Sequence, residues 1–222
     1  MFVPVKVNPE ITERPINEET RSRYGVTAFP AVLFLSPDGG LIQKASGFLT
    51  PEQFSPIMQS ALQKEKVFMK QLAELEKMPE DAKLNAQVAI TYLDRDQFEK
   101  ALPISEKTFE LDPKNATGLI PNLHNQLGYA YATKAETVGD TTEMAMYFEK
   151  AINHFKTVVD KYPKSDVNEP AQYYLGVTYA LKQDYDSAIS VLEKLANHTR
   201  DDVIKRNTDA MLTRIKQLAG DN

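Results

Sequence analysis

The sequence predicts an α+β chain: a short mixed α/β segment, then an all-α solenoid of about three helical hairpins and a capping helix. Three observations predict it. From Asp81 onward the apolar residues recur at spacings of three and four, the period of a helix with one buried face. Over that stretch a short pattern of small residue, tyrosine, aromatic and alanine returns three times, as repeat architectures require. Before Leu62, by contrast, the chain alternates as strands do, turns through Pro and Gly, and holds the continuous apolar run Ala31–Leu35.

At 222 residues and 25.0 kDa the chain has room for two small domains, each with its own core. Its 42% hydrophobic and 26% charged residues match ordinary soluble globular proteins, so folding needs no special help. A net charge of -5 without any Lys/Arg-rich run argues against nucleic acid as a partner. The absence of cysteine removes disulfides, thiolate nucleophiles and thiolate metal ligands from this stretch of chain. No stretch approaches the roughly 18 consecutive apolar residues of a membrane helix, so no membrane partner is expected. Met1–Lys6 also lacks the charged region and apolar core of a signal peptide. As written the chain reads as cytoplasmic; a periplasmic or exported location would follow from a leader upstream of Met1.

The first 62 residues form the mixed segment. Phe2–Asn8 alternates and predicts a strand, and a polar stretch then leads to a short helix around Asn17 to Tyr24. Ala31–Leu35 has the length of a buried strand, Ser36-Pro37-Asp38-Gly39-Gly40 is turn chemistry, and Leu41–Ser46 supplies the returning strand of a hairpin. Thr50 is placed to cap a helix with Pro51 in its first position, running through Leu62 and on toward Leu75 as a connector over 63–80.

Residues 81–200 hold the three hairpins. Their first helices carry Ala89 before Tyr92, Gly128 before Tyr131 and Gly176 before Tyr179; their second helices carry Phe98 before Ala101, Phe148 before Ala151 and Tyr185 before Ala188. Two helices joined by a short turn approach closely where both present small side chains, so Ala89, Gly128 and Gly176 are expected to face Ala101, Ala151 and Ala188. Proline closes two of the second helices, at Asp112-Pro113 and Tyr162-Pro163, because it disfavours helix in the residue before it. The second hairpin has a lengthened connection over Lys134–Thr142, either a contact loop or an extended helical turn tolerated at the surface. Residues 201–222, from Val203 to Leu218 above all, read as one amphipathic helix that caps the stack.

This pattern resembles the tetratricopeptide repeat family over roughly Asp81 to Arg200. The resemblance implies that the first helices line a groove for a peptide or partner helix, with Lys83, Ala86, Ile90, Asn122, Asn125, Tyr129, Tyr173 and Val177 facing it. Asn122 and Asn125 are then candidates for bonding a peptide backbone. Family members that grip the acidic tail of heat-shock chaperones carry lysine, arginine and asparagine at set groove positions. Those positions here read Ala86, Ile90, Gln126, Pro170 and Tyr174, so that clamp is absent.

The order of strand, helix, Tyr24–Pro30, hairpin, Gly47-Phe48 and helix resembles the C-terminal half of a thioredoxin domain. It implies a cis-proline at Pro30, with Phe29 pairing its backbone with a substrate peptide. In that family a further strand lies between the elements matching Phe2–Asn8 and Ala31–Leu35. Without it the sheet cannot close in the usual way, which leaves an edge for homodimer formation or for a segment upstream of Met1, or marks the half domain as a degenerate remnant.

Chemistry is sparse. His124, His154 and His198 show no metal-ligand spacing and read as structural or surface residues. Gly39-Gly40 is a hairpin turn rather than a phosphate cradle. No cofactor and no metal are expected, and no catalytic residue. The functional expectation is a non-catalytic adaptor or scaffold that binds a protein or peptide. Its rival is a piece of a thiol-disulfide oxidoreductase whose Cys-x-x-Cys lies upstream.

Overall fold

The computed structural model describes residues 3–8 and 15–220. The chain divides into two compact units, one of residues 1–79 with 94–97, the other of residues 80–93 with 98–222.

The first unit contains α1 (Pro15–Arg23), β1 (Ala31–Leu35), β2 (Leu41–Ser46) and α2 (Pro51–Lys77). β1 and β2 pair antiparallel, with Val32 opposite Ala45 and a bulge between Phe34 and Leu35. Their turn is built by Ser36, whose Oγ donates to Asp38 at 2.5 Å and accepts from the Gly40 N–H at 2.9 Å. Thr50 and Gln53 close α2 as a reciprocal capping box, with Pro51 in the first position. The helix then runs unbroken to Lys77, so residue 62 lies inside it. Phe34, Ile42 and Ala61 form the core of this unit, joined by Phe54, Ile57 and Met58 from α2.

Two expectations need correction here. Residues 3–8 form no strand, and the sheet has two strands among the described residues; Phe2 lies outside them. The valines alternate correctly, but the described residues place no strand beside them, and Val3 and Val5 are 78% and 81% exposed. β1 is also less buried than its apolar run suggests: Phe34 is enclosed, whereas Val32 is exposed. An unbroken run of apolar residues marks two covered faces, and here Phe34 is buried while Ala31, Leu33 and Leu35 are half-buried.

The second unit contains α3 (Ala82–Asp94), α4 (Phe98–Leu111), α5 (Ile120–Thr137), α6 (Thr141–Lys161), α7 (Asn168–Leu181), α8 (Tyr185–His198) and α9 (Asp202–Gly220). From α5 onward each helix packs on the next, and α5 meets α7 as α7 meets α9, so the first helices form one row. A core of Ala89, Ala101, Leu123, Leu127, Ala151, Phe155 and their neighbours runs from α3 to α7. A second, made of Ala188, Leu192, Leu212 and Ile215, joins α8 to α9.

The close approach between helices falls one turn beyond the expected partners. A methyl on Gly128 would meet the Phe155 ring at 2.7 Å, and one on Gly176 would meet Leu192 Cγ at 2.4 Å. Phe155 and Leu192 follow Ala151 and Ala188 by one helical turn and share their face. Each glycine therefore opens a pit for a large side chain, rather than matching a small residue with another.

The lengthened connection of the second hairpin is taken up as helix. α5 extends to Thr137 and α6 begins at Thr141, leaving three residues between them. Ala135 is fully buried and Asp140 Oδ1 accepts from the Glu143 N–H at 2.8 Å, so both ends are fixed by packing and capping. Between α6 and α7 the closure is made by Asn168, whose Nδ2 donates to the carbonyls of Val158, Val159 and Tyr162 at 3.1–3.3 Å. These carbonyls lie at the α6 C-terminus, where Val158 and Tyr162 also accept from the Tyr162 and Ser165 N–H groups, so the amide adds a second donor at the helix end.

Candidate functional site

The candidate face lies on the first helices of the hairpins. Their small residues turn inward, and the opposite side of each helix is left for solvent or a partner.

On α5, Tyr129 is 48% exposed, one turn after Asn125. The Asn125 Oδ1 is buried and has no hydrogen-bond partner among the described residues. On α7, Tyr173 and Tyr174 stand next to each other. Tyr129 meets Tyr174 edge-on, ring centres 5.5 Å apart, and Tyr174 meets Tyr173 at the same distance. Tyr174 also stacks on Phe155, ring centres 6.0 Å apart. Tyr174 thus ties an exposed ring on one hairpin to the core beneath it. Burial, and then the neighbouring Tyr129 and Tyr173, push its phenol pKa up, so it stays a neutral donor.

The other candidate residues distribute unevenly. Asn122 and Val177 are half-buried on the same two helices. On α3, Lys83 is exposed in the first turn and Ile90 is half-buried against the core. Ala86 is fully buried and has no surface to offer a ligand, because the small side chain lies under the helix rather than on it. Tyr174 was legible only as a missing clamp residue; the adjacent Tyr173-Tyr174 pair marks an aromatic stretch of α7 but does not say which ring packs on Phe155.

In the first unit, Phe29 is 56% exposed and its peptide bond to Pro30 is cis. The Pro30 carbonyl accepts from the Gly47 N–H at 2.8 Å.

A polar pair sits inside the repeat stack. His124 of α5 and His154 of α6 approach Nδ1 to Nδ1 at 2.8 Å. One ring must donate its N–H and the other accept, so the accepting ring is neutral. Phe109 of α4 stacks on His124 with centres 4.3 Å apart, and Tyr131 stacks on His154 at 5.5 Å. Burial pushes the His124 pKa down to about 3, helped by His154 and Lys161. Burial and then Lys150 push His154 down to about 4. The pair joins three helices and belongs to the framework. His198 is exposed at the end of α8, its Nδ1 2.5 Å from the Lys194 carbonyl. Among the described residues no three His, Cys, Asp or Glu side chains gather as metal ligands. Among the described residues no helix is long and apolar enough to cross a membrane.

No curated protein and no solved structure matches the chain. Residues 170–198, from Pro170 in α7 to the end of α8, match the family model of the tetratricopeptide repeat. Over this stretch the chain is similar to one tetratricopeptide repeat, a kind of repeat that builds extended protein-binding surfaces.

Proposed function

We propose that the chain is a non-catalytic adaptor that holds a peptide segment of a partner protein against the α5–α7 face. The observation that carries the reading is the tyrosine cluster. Tyr129, Tyr173 and Tyr174 present aromatic edges and hydroxyls from a rigid base, which is the chemistry of protein contact hot spots. The unpartnered Asn125 Oδ1 lies one turn away beneath the surface, and a peptide N–H that reached it would satisfy a buried acceptor. Lys83, Ile90, Asn122 and Val177 extend the same face in this reading. Neither the charge nor the side chains favour an acidic tail as the ligand.

The test is selection of a random peptide library on the immobilised chain, followed by titration of an enriched peptide. Tyr129→Ala should weaken binding about tenfold or more, the usual loss at an aromatic hot spot. Equal affinity for the variant, or no enrichment, would remove this face from consideration.

A further inference from the structure

The sheet of the first unit carries an edge that the described residues leave open. In an antiparallel ladder, residues that bond to a neighbouring strand alternate with residues whose N–H and C=O point away from it. Gly47 donates to the Pro30 carbonyl, which makes Pro30 and Gly47 one bonded pair. Counting by twos along the register, Val32 and Phe34 bond toward β2, opposite Ala45 and Gln43. Ala31 and Leu33 then turn their main-chain groups to the far side, where the two-stranded sheet has no neighbour among the described residues. Unpaired groups on an apolar strand are a template for a further strand. Phe29 and Phe48, at the Pro30–Gly47 end of the hairpin, are 56% and 95% exposed and add apolar surface there.

The same unit also holds an apolar segment without a sheet. Val3, Val5 and Val7 alternate, are 78%, 81% and 42% exposed, and belong to no strand. Asn8 at the end of the segment is fastened to α1, its carbonyl accepting from Asn17 Nδ2 at 2.7 Å. Pro4 selects one register. Proline has no N–H, so a strand tolerates it where the backbone faces outward. If Val3, Val5 and Val7 bond to β1, then Pro4 and Lys6 turn their backbone groups to solvent and no bond is lost. The new outer strand then carries Lys6, and lysine on an edge discourages further addition.

We propose that residues 3–7 of one copy add to the β1 edge of a second copy, reciprocally, giving a symmetric dimer by strand exchange. The open edge and the unsheeted strand are complementary, and both are repeated on each copy.

Light scattering on the full chain across the micromolar range tests this. The expected result is a rise from the 25.0 kDa monomer toward twice that mass. Val5→Pro removes a donor aimed at β1 and should shift the dimerisation midpoint at least tenfold. Lys6→Pro removes a donor aimed at solvent and should leave the midpoint in place. Both sites are in an exposed irregular segment, and circular dichroism checks that the helices persist in each variant. A strict monomer overturns the proposal in favour of a strand from another protein, and equal effects of the two prolines overturn it as well.

Discussion

Gly176 and Leu192 fit so closely that a single methyl on the glycine would lie 2.4 Å from Leu192 Cγ. Leu192 is fully buried, and it also joins the core that α8 shares with α9. In an exposed helix, Gly→Ala stabilises by about 1 kcal/mol. At Gly176 the added methyl meets a branched carbon that has no free space to enter, so Gly176→Ala should instead destabilise by roughly 1–3 kcal/mol. Urea unfolding of the variant reads the sign directly. A stabilised variant would show that α7 and α8 can separate without loss.

Gly128 offers the same test with a different neighbour. Its added methyl would meet the flat ring of Phe155 at 2.7 Å. Gly128→Ala should also destabilise by roughly 1–3 kcal/mol, and combining it with Phe155→Leu should recover part of the loss by vacating the space.

Much of the repeat fold was legible because its signals are local. Helical period, the glycine and alanine positions and the closing prolines each act within one or two turns, and α3 to α9 fall where those signals place them. The hairpin Ala31–Ser46 and the cap at Thr50 were legible for the same reason. What was not legible depends on long-range partners. Val3–Val7 has the alternation of a strand, but pairing needs a neighbour that alternation does not supply. The Gly128–Phe155 contact depends on which turn of α6 faces α5, and spacing alone allowed Ala151 or Phe155. The His124–His154 pair is separated by thirty residues, so each histidine looked isolated in the sequence. Tyr174 was hidden because adjacent tyrosines cannot be divided into core and surface without the packing.

The histidine pair gives a pH dependence with a defined sign. Its pKa values, about 3 and about 4, lie below the roughly 6.5 of an unfolded histidine. Between those values the unfolded chain binds protons that the folded chain refuses, so stability falls as pH drops below about 6.5. The loss is at most about 1.4 kcal/mol per pH unit for each ring. Above that pH the pair contributes no slope. The charged groups facing it, Lys150 and Lys161, act in the same direction. His154→Phe should reduce the slope between about pH 6 and pH 5 by removing one of the two proton acceptors. Urea midpoints of both proteins at those pH values check it; an unchanged slope would place the acid sensitivity elsewhere. Asp112 titrates in a lower window. Burial opposes its charge, but hydrogen bonds from Thr117 and Ala116 hold its pKa below the ordinary carboxylate value, so its loss comes only under more acidic conditions.

In the first unit, Arg95 Nη1 and Glu65 Oε2 form an ion pair at 2.7 Å with side chains 5% and 22% exposed. The Arg95 guanidinium also lies 4.1 Å from the Phe68 ring centre, and its carbonyl accepts from the Leu41 N–H at 3.2 Å. Removing one partner of a buried pair leaves the other charge uncompensated and costs about 3–5 kcal/mol. Glu65→Gln should therefore speed amide exchange in β1 and β2 roughly a hundredfold or more, if exchange follows opening of that unit. The joint replacement Glu65→Leu with Arg95→Met should cost far less, because it removes both charges and keeps apolar volume. Equal exchange in both variants would show that the loss is one of packing rather than charge.

The tyrosine face allows binding to be separated from folding. Tyr129 is half-exposed and touches Tyr174 by an edge, so Tyr129→Ala should change stability by about 1 kcal/mol or less, in the range of an aromatic pair contact. Tyr174 lies against Phe155 and joins the core around it, so Tyr174→Ala should cost about 3 kcal/mol or more, as buried aromatic truncations do. If the face holds a peptide, both variants should lose affinity, but only Tyr174→Ala should also lower the urea midpoint. Asn125→Ala separates a third effect. Its Oδ1 has no partner to lose, so the substitution should leave folding unchanged or slightly improved while weakening a peptide that bonds there. A variant that kept full affinity while Tyr129→Ala lost it would confine recognition to the rings and leave Asn125 as a buried group without a ligand.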